Sequence, residues 1–270
     1  MTFRNTHIAL LVVLTAATSC DPTRRVPQGS HLLKRHGIEV SKRSVPADEL
    51  EAIVKQKPNK KVLGLRFYLS MYNLPDPERI ARKKAHKDAR TDERNEDRQA
   101  RGRKPLPYKR TMGEWMRDVV GEPPVILDPA QTERSTDQLQ LYMQKEGWFR
   151  ARVTDTTYFS HRGILGIGRD VPFKQPKAVV FYHIEPGSSY HLRRVRHQID
   201  DPAINAILAR DSANWTLRRG DRFDADALDR ERERITTRLR EQGYLFFNKE
   251  LILFNADTAL AGDSVDITLR

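Results

Sequence analysis

The sequence predicts an α+β fold built from two tandem β-α-α-β-β modules. Three observations carry that expectation. An amphipathic helix twice runs into a glycine, an aromatic residue and a strand, at Leu139, Met143, Gly147 and Trp148 and again at Ile235, Leu239, Gly243 and Tyr244, each pair 96 residues apart. A repeat at that distance marks two small modules with separate cores rather than one large domain. Strand-like segments flank each helix pair. Finally, a chain of 270 residues with 38% hydrophobic and 31% charged residues has core enough for small domains and leaves much of itself in solvent.

The N-terminus reads as an export signal outside the fold. Arg4 supplies a positive charge, Ile8 to Ala17 form an apolar run, and small residues lead into Cys20. The run is too short to cross a hydrocarbon core of about 30 Å as a helix. Residues 1–19 are therefore expected to be a lipoprotein signal peptide. Cys20 is the single cysteine, so no internal disulfide forms, and its place after the signal makes it the expected lipid-attachment site. Ala17-Thr18-Ser19-Cys20 lacks the Leu usual three residues before such a cysteine, which keeps ordinary cleavage and an uncleaved anchor open. Residues 20–30, rich in Pro, Arg, Gly and Ser, read as a tether.

The first module spans residues 31–187. Leu32 to Val40 is its first strand, and Pro46 to Lys55 its first helix, with Ser44 near the start and Leu50, Ile53 and Val54 on one face. An insertion occupies about 58–120. Its first part, Lys60 to Asn73, reads as a helix wedged against the module or a neighbour. A membrane-surface helix flanked by Lys60, Lys61 and Arg66 is the sharper alternative. The part from Glu78 to Arg110 holds 13 Lys/Arg against 6 Asp/Glu, more than half of the net charge of +12. It is expected to be a solvated, partly helical or disordered basic stretch. Nucleic acid is a poor partner for it, because no aromatic residue interleaves the charges before Tyr108. Anionic lipid headgroups are physically reasonable partners for residues 78–110, with a salt-sensitive attraction.

The prolines in Glu122 to Asp128 force that stretch to be extended. A helix from about Thr132 to Glu146 follows and ends at Gly147, the residue type that tolerates a left-handed cap. Phe149 to Asp155 is strand-like. Lys177 to Ile184 is apolar on both faces, as a central strand would be, and Pro186-Gly187 turns the chain out of it.

The second module, 188–270, opens with a strand from Tyr190 to Ile199. Its alternation slips between Leu192 and Val195, which predicts a bulge. Asp201 to Ala209 forms a short helix. Asp224 caps the long helix, with Phe223 stapled onto Leu228 and Leu228, Ile235 and Leu239 as the buried stripe. Gly243 stops it, and Tyr244 to Phe254 and Ser264 to Leu269 are the last two strands.

Catalytic chemistry finds little support. The eight histidines (7, 31, 36, 86, 161, 183, 191 and 197) fall in no metal-ligand spacing with cysteine or carboxylates. Gly163, Gly166 and Gly168 lack the spacing and following helix of a phosphate loop and read as a hairpin turn. Asp224, Asp226 and Asp229 sit where a helix dipole favours negative charge. No enzyme, cofactor or metal is expected.

The helix-Gly-aromatic-strand repeat resembles polypeptide-transport-associated (POTRA) domains. Val26-Pro-Gln-Gly-Ser-His-Leu-Leu-Lys, Lys57-Pro-Asn-Lys-Lys-Val-Leu-Gly-Leu-Arg-Phe and Gly121-Glu-Pro-Pro-Val-Ile-Leu-Asp resemble the N-terminal region of BamA/TamA-type outer-membrane assembly proteins of the Bacteroidetes lipoprotein form. Asp229-Arg-Glu-Arg-Glu-Arg-Ile-Thr and Gly243-Tyr-Leu-Phe-Phe are similar to the same family's second POTRA domain. The resemblance spans about Arg25 to Arg270. It implies a periplasmic, outer-membrane location and β-barrel precursors or assembly-complex subunits as partners. Family members continue into a C-terminal barrel of about 16 strands. The sequence in hand reaches Arg270, so barrel insertion is not carried over.

In that family POTRA edges accept extended client or partner segments by strand addition, where main-chain hydrogen bonds tolerate many sequences. An unpaired edge is otherwise a hazard. The expected edge here is the strand after each Gly-aromatic pair: Phe149, Arg150, Ala151, Arg152 and Val153 in the first module, and Leu245 to Leu253, with Leu245 and Phe247, in the second. Arg150 and Arg152 are either guards or client contacts, or plain solvated side chains. Two other classes stay open: an envelope scaffold that binds one fixed partner, and an anionic-lipid-binding lipoprotein acting through residues 78–110.

Overall fold

The computed structural model describes residues 21–41, 45–161, 171–259 and 262–270. The expected signal peptide, Cys20, Ser44 and the glycines at 163, 166 and 168 lie outside these. No described helix is long and apolar enough to cross a membrane.

The elements follow the expected order. In the first module β1 (Leu32–Val40) and α1 (Ala47–Ile53) precede the insertion, and α5 (Pro129–Lys145), β2 (Arg152–Tyr158) and β5 (Lys177–Glu185) follow it. A two-stranded hairpin, β3 (Ser160–His161) with β4 (Val171–Pro172), lies between β2 and β5. The second module is β6 (His191–His197), α6 (Pro202–Arg210), α7 (Ala225–Glu241), β7 (Phe254–Asp257) and β8 (Ser264–Leu269). The sheets have orders β1-β5-β2 and β6-β8-β7, so in both the last strand of the module is the central one. This is the α+β class of two tandem β-α-α-β-β modules, shown by the order of the elements along the chain and of the strands within each sheet.

Compactness groups the chain into two units, one from 1–37, 56–129 and 157–180, the other from 38–55, 130–156 and 181–270. Strands β1, β2 and β5 each run from one unit into the other.

The repeat is stricter than the four aligned pairs suggest. Helices α5 and α7 start 96 residues apart, at Pro129 and Ala225, and end 96 apart, at Lys145 and Glu241. Leu139 and Met143 are buried in one, Ile235 and Leu239 in the other. Both end in the same cap. Trp148 N–H donates to Met143 C=O at 2.9 Å and Tyr244 N–H to Leu239 C=O at 3.1 Å, across Gly147 (φ 82°) and Gly243 (φ 98°). That geometry satisfies the last carbonyls of a helix and requires a left-handed residue, which glycine adopts without strain. Asp224 caps α7 as expected, accepting from Asp226 N–H at 2.7 Å, and Phe223 and Leu228 share one apolar cluster.

Central position explains the burial of β5. Ala178, Val179, Val180, Tyr182 and Ile184 are all buried, on both faces of the strand. The Tyr182 hydroxyl is hydrogen-bonded with Ser135 and Thr132 of α5, which satisfies a polar group that burial would otherwise leave unpaired. In the second sheet β6 runs parallel to β8, and the register shifts between Leu192 and Arg194, the bulge expected from the slipped alternation. Strand β7 is antiparallel to β8.

The basic stretch of the insertion is one helix, α3 (Pro77–Ala100, 24 residues), preceded by α2 (Phe67–Asn73) and followed by α4 (Met112–Glu114), which runs into a π-helical turn at Trp115–Val120. Asp76 caps α3, Pro77 opens it, and Lys84–Asp88 and Asp97–Arg101 pair one turn apart. Ile80 is its one buried residue. The return segment is clipped along the helix: the Asn95 side chain exchanges bonds of 3.1 and 2.6 Å with the Leu106 backbone, and Lys87 donates to the Arg110 carbonyl at 2.7 Å. Lys60 to Phe67 does not continue the helix of Phe67–Asn73. It forms a tight turn in which Val62 and Leu65 bond reciprocally at 2.8 and 3.0 Å.

Candidate partner-binding edges

Each three-stranded sheet has two edge strands, β1 and β2 in one, β6 and β7 in the other. The chain seals the first half of one edge in each. Along β1, Leu33 N–H donates to Val125 C=O and Leu127 N–H to His31 C=O, both at 2.8 Å. Along β6, Leu192 N–H donates to Asp221 C=O at 2.8 Å and Phe223 N–H to Tyr190 C=O at 2.9 Å. The covering residues, Val125 and Leu127, are 96 positions from Asp221 and Phe223, so sealing belongs to the repeat. The proline-restricted stretch at 122–128 thus has a job: it is the cover strip of β1.

The opposite edges differ. At the start of β2 a side chain takes the place of a neighbouring strand. The Gln140 amide nitrogen donates to Ala151 C=O at 2.8 Å, and Val153 N–H donates to the Gln140 amide oxygen at 3.0 Å. A carbonyl at one residue and an N–H two residues on are the groups that a parallel strand would engage. Gln140, on α5, is therefore a one-residue plug at the strand's N-terminal end. Backbone direction alternates along a strand, so Asp155 and Thr157 turn the same way as Val153, beyond the reach of that plug. Among the described residues no covering segment lies along their flank of β2. In β7, Leu253 and Arg270 exchange reciprocal bonds of 2.9 Å, which directs the backbone groups of Phe254 and Ala256 to the free side.

Of the residues expected on these edges, the structure places Arg152 and Val153 on β2. Arg152 is exposed and the Val153 side chain is buried. Phe149, Arg150 and Ala151 precede the strand. After the Gly147 cap the chain makes a further turn, closed by Ala151 N–H to Trp148 C=O at 3.0 Å, before it can extend. Phe149 is packed inward, its ring 5.1 Å from that of Tyr190 and 4.9 Å from that of Phe223. Arg150 ion-pairs with Asp263 at 3.3 Å and lies over the Tyr190 ring. Both make contacts within the second compact unit, Phe149 packed inward and Arg150 still exposed.

Leu245 and Phe247 are likewise off the strand. The equivalent turn, Phe247 N–H to Tyr244 C=O at 3.0 Å, is followed by an Asn248-capped 3-10 turn, Lys249–Leu251, so β7 starts only at Phe254. Phe247 packs on the apolar cluster of Leu208, Ile235, Leu239 and Ile252. Leu245 is exposed, as are Phe246, Leu251 and Leu253 beside it. Sequence reasoning missed Gln140 and Phe246. The available signal for Gln140 was a long amide about two turns before the Gly147 cap, on the helix that precedes the edge strand.

The buried charges of the second module have a structural role. Glu231, 2% exposed, accepts bonds from Thr216 N–H and hydroxyl at 3.0 and 2.6 Å and pairs with Arg234 at 2.7 Å; Arg234 also pairs with Asp211. Burial pushes the Glu231 carboxyl up, but bonds from Arg234 and Thr216 outweigh it and hold the group below its ordinary range. The open depression beside them, about 390 Å³, is lined by Asp211 and Arg234 of these groups with Asn214, Thr237, Arg238 and Glu241. His183 contacts Glu39 at 3.0 Å, and His197 stacks on Trp215 with its basicity lowered by burial. Among the described residues no group of three or more His, Cys, Asp or Glu side chains is placed to hold a metal ion.

No family model matches the chain, and no curated protein matches it. Among solved structures, BamA from Haemophilus ducreyi lacking POTRA domains 1-3 aligns with 55% of the chain at 12% identity and a TM-score of 0.32. The chain covers 24% of that protein's length. Haemophilus influenzae BamA POTRA3-5 aligns with 91% of the chain (98% of its own) at 12% identity and TM-score 0.31. POTRA1-2 of the periplasmic domain of Omp85 from Anabaena aligns with 89% (94% of its own) at 10% and 0.33. Superpositions this loose carry no weight for function.

Proposed function

We propose that the chain is a non-enzymatic module of the BamA/TamA type that binds extended polypeptide segments by strand addition during outer-membrane protein assembly or transport. In this reading it is an export-signalled lipoprotein, attached through Cys20 to the outer membrane and facing the periplasm, with binding modules at residues 31–187 and 188–270. The observation that carries the reading is the asymmetry of the edges. Segments 125–127 and 221–223 occupy the first halves of β1 and β6, whereas among the described residues β2 is plugged only by Gln140. A sheet that covers one flank in both repeats and leaves the other open suits an incoming strand, since main-chain bonding there needs no particular client sequence.

A photo-crosslinker at Arg152, on the exposed face of β2, tests it. Capture of many β-barrel precursors supports client binding. Capture of nothing removes strand addition at β2.

A second reading, an envelope adaptor with one fixed partner, is favoured by the exposed apolar group after α7. Phe246 is 97% exposed and Leu245 69%, and Leu251 and Leu253, a few residues on in the same loop, are exposed as well. Such a patch suits a dedicated docking surface more than a sequence-tolerant edge. A single stoichiometric partner crosslinked at Phe246, with none at Arg152, would select this reading.

A further inference from the structure

The turn at Val62–Leu65 displays a side chain that soluble proteins rarely place there. Leu63 has φ 50° and Gly64 φ 80°, the backbone of a tight hairpin turn whose first central position normally takes Asn, Asp or Gly. Leu63 is nonetheless 97% exposed, with Leu65 at 60% and Phe67, which opens α2, at 47%. A branched apolar side chain held in a strained conformation and pointed at solvent is an observation in need of a use.

The surroundings say what the use is. Lys60 and Lys61 flank the turn and are exposed. Behind it stand Lys34, Arg66 and Lys177, close enough that Lys34 is held below its ordinary range first by burial and then by the charges of Arg35, Arg66 and Lys61. Lys177 is lowered by burial and by Lys34 and Arg66, with Asp21 opposing. Among the described residues Lys34, Lys61, Arg66 and Lys177 form no ion pair. Arg66 donates to the Lys34 carbonyl, Lys177 to the Gln175 amide oxygen, and Lys34 lies over the Phe173 ring, so their positive charges are held in place but not neutralised by a carboxylate. An apolar tip flanked by such cations is complementary to a surface that is anionic outside and apolar beneath.

A second observation ties the N-terminus to the helix that follows the hairpin. Residues 21–25, expected to be part of a loose tether, are bound to α2. The Asn73 amide donates to the Asp21 and Pro22 carbonyls, both at 3.3 Å, Thr23 is buried, and Arg25 donates to the Pro75 carbonyl and lies over the Tyr72 ring. Asp21 is thus fixed at the C-terminal end of a helix about 10 Å long whose N-terminal end carries the hairpin. The apolar run at Ile8 to Ala17 leads into this point.

We propose that the Val62–Leu65 hairpin is a membrane-contact element, with Leu63 and Leu65 entering the acyl boundary of an anionic bilayer and Lys60, Lys61 and the cations behind them meeting its headgroups. Only the placement of the bilayer near Asp21 rests on the lipoprotein reading. The contact itself needs no acyl chain on Cys20.

The test uses the chain from Asp21 to Arg270, which retains every described contact and lacks Cys20. Sedimentation with vesicles of phosphatidylcholine containing about one third phosphatidylglycerol reads binding without client or lipid anchor. Binding to these vesicles, absent with pure phosphatidylcholine, is expected to fall about tenfold or more in Leu63→Asp. It is also expected to weaken in Lys60→Glu/Lys61→Glu and as salt rises. Leu63→Gly, which relieves the backbone, should lose binding while gaining stability, so misfolding cannot account for the loss. Unchanged binding in Leu63→Asp, or binding that vanishes only when residues 78–110 are removed, overturns the proposal. Failure here leaves crosslinking at Arg152 untouched, and the reverse.

Discussion

Gly147 stands so close to Phe223 that a Cβ added to it would lie 2.6 Å from the Phe223 carbonyl oxygen. The same carbonyl region adjoins the segment that seals β6, and Tyr190 N–H donates to Gly147 C=O at 2.9 Å. One glycine therefore both caps α5 and admits the backbone of the second module.

Its repeat partner, Gly243, has the same left-handed conformation but open space around it. Gly147→Ala should accordingly cost more than Gly243→Ala. The left-handed penalty of about 1–2 kcal/mol applies to both. Gly147→Ala adds a backbone clash of about 1–3 kcal/mol. Urea unfolding of the two variants measures the difference, and equal losses would dissociate Gly147 from Phe223.

Arg234 holds two acidic side chains in the second module, Glu231 and Asp211. Arg234→Met leaves Glu231 buried without its cation and should destabilise the protein by about 3–5 kcal/mol. The sign of the pH dependence follows from the depressed Glu231 pKa. Its stabilisation is present above the unfolded carboxylate value of about 4.3 and is lost as pH falls through the lower folded value. Urea midpoints recorded downward from neutral pH should drop in the wild type over that window, and Glu231→Gln should flatten that drop.

Gln140→Ala removes the plug at the head of β2 and leaves Ala151 C=O and Val153 N–H to water. Amide exchange at Val153 should accelerate about tenfold, with a stability loss of about 1 kcal/mol. If β2 receives clients, their capture at Arg152 should rise, because a competitor for the edge is gone. Slower exchange, or capture that falls, would contradict the plug.

Proline scanning separates the two sides of β2. At Asp155 the N–H faces the open flank, so Asp155→Pro should leave the fold within about 1 kcal/mol, apart from the 2.9 Å bond that Asp155 accepts from Thr136, while blocking strand addition. At Thr154 the N–H faces β5, and Thr154→Pro should cost about 3 kcal/mol or more. Thermal unfolding together with crosslinking at Arg152 reads both effects.

The repeat, the glycine stops, the Asp224 cap, the strand at Leu32–Val40, the central place of β5 and the bulge in β6 were legible because each depends on residues adjacent in sequence. Periodicity and capping are local physics, and local physics survives folding unchanged. The edge residues were legible only in part. Arg152 and Val153 lie where alternation put them, but Phe149 left for the Tyr190 and Phe223 rings, and a 3-10 turn delayed β7 to Phe254.

By itself, the order of amino acids determined that there are two α+β modules, where the two long repeated helices stop, and that Glu78 to Arg110 is solvated. The tertiary structure alone decided which sheet edges are closed. Leu33 meets Val125 and Leu192 meets Asp221 only after the helices between them have packed, and no pattern in either strand announces its cover. Hydrogen-bond partners distant along the chain are selected by packing geometry, and it is that geometry which leaves β2 open and holds Asp21 against Asn73.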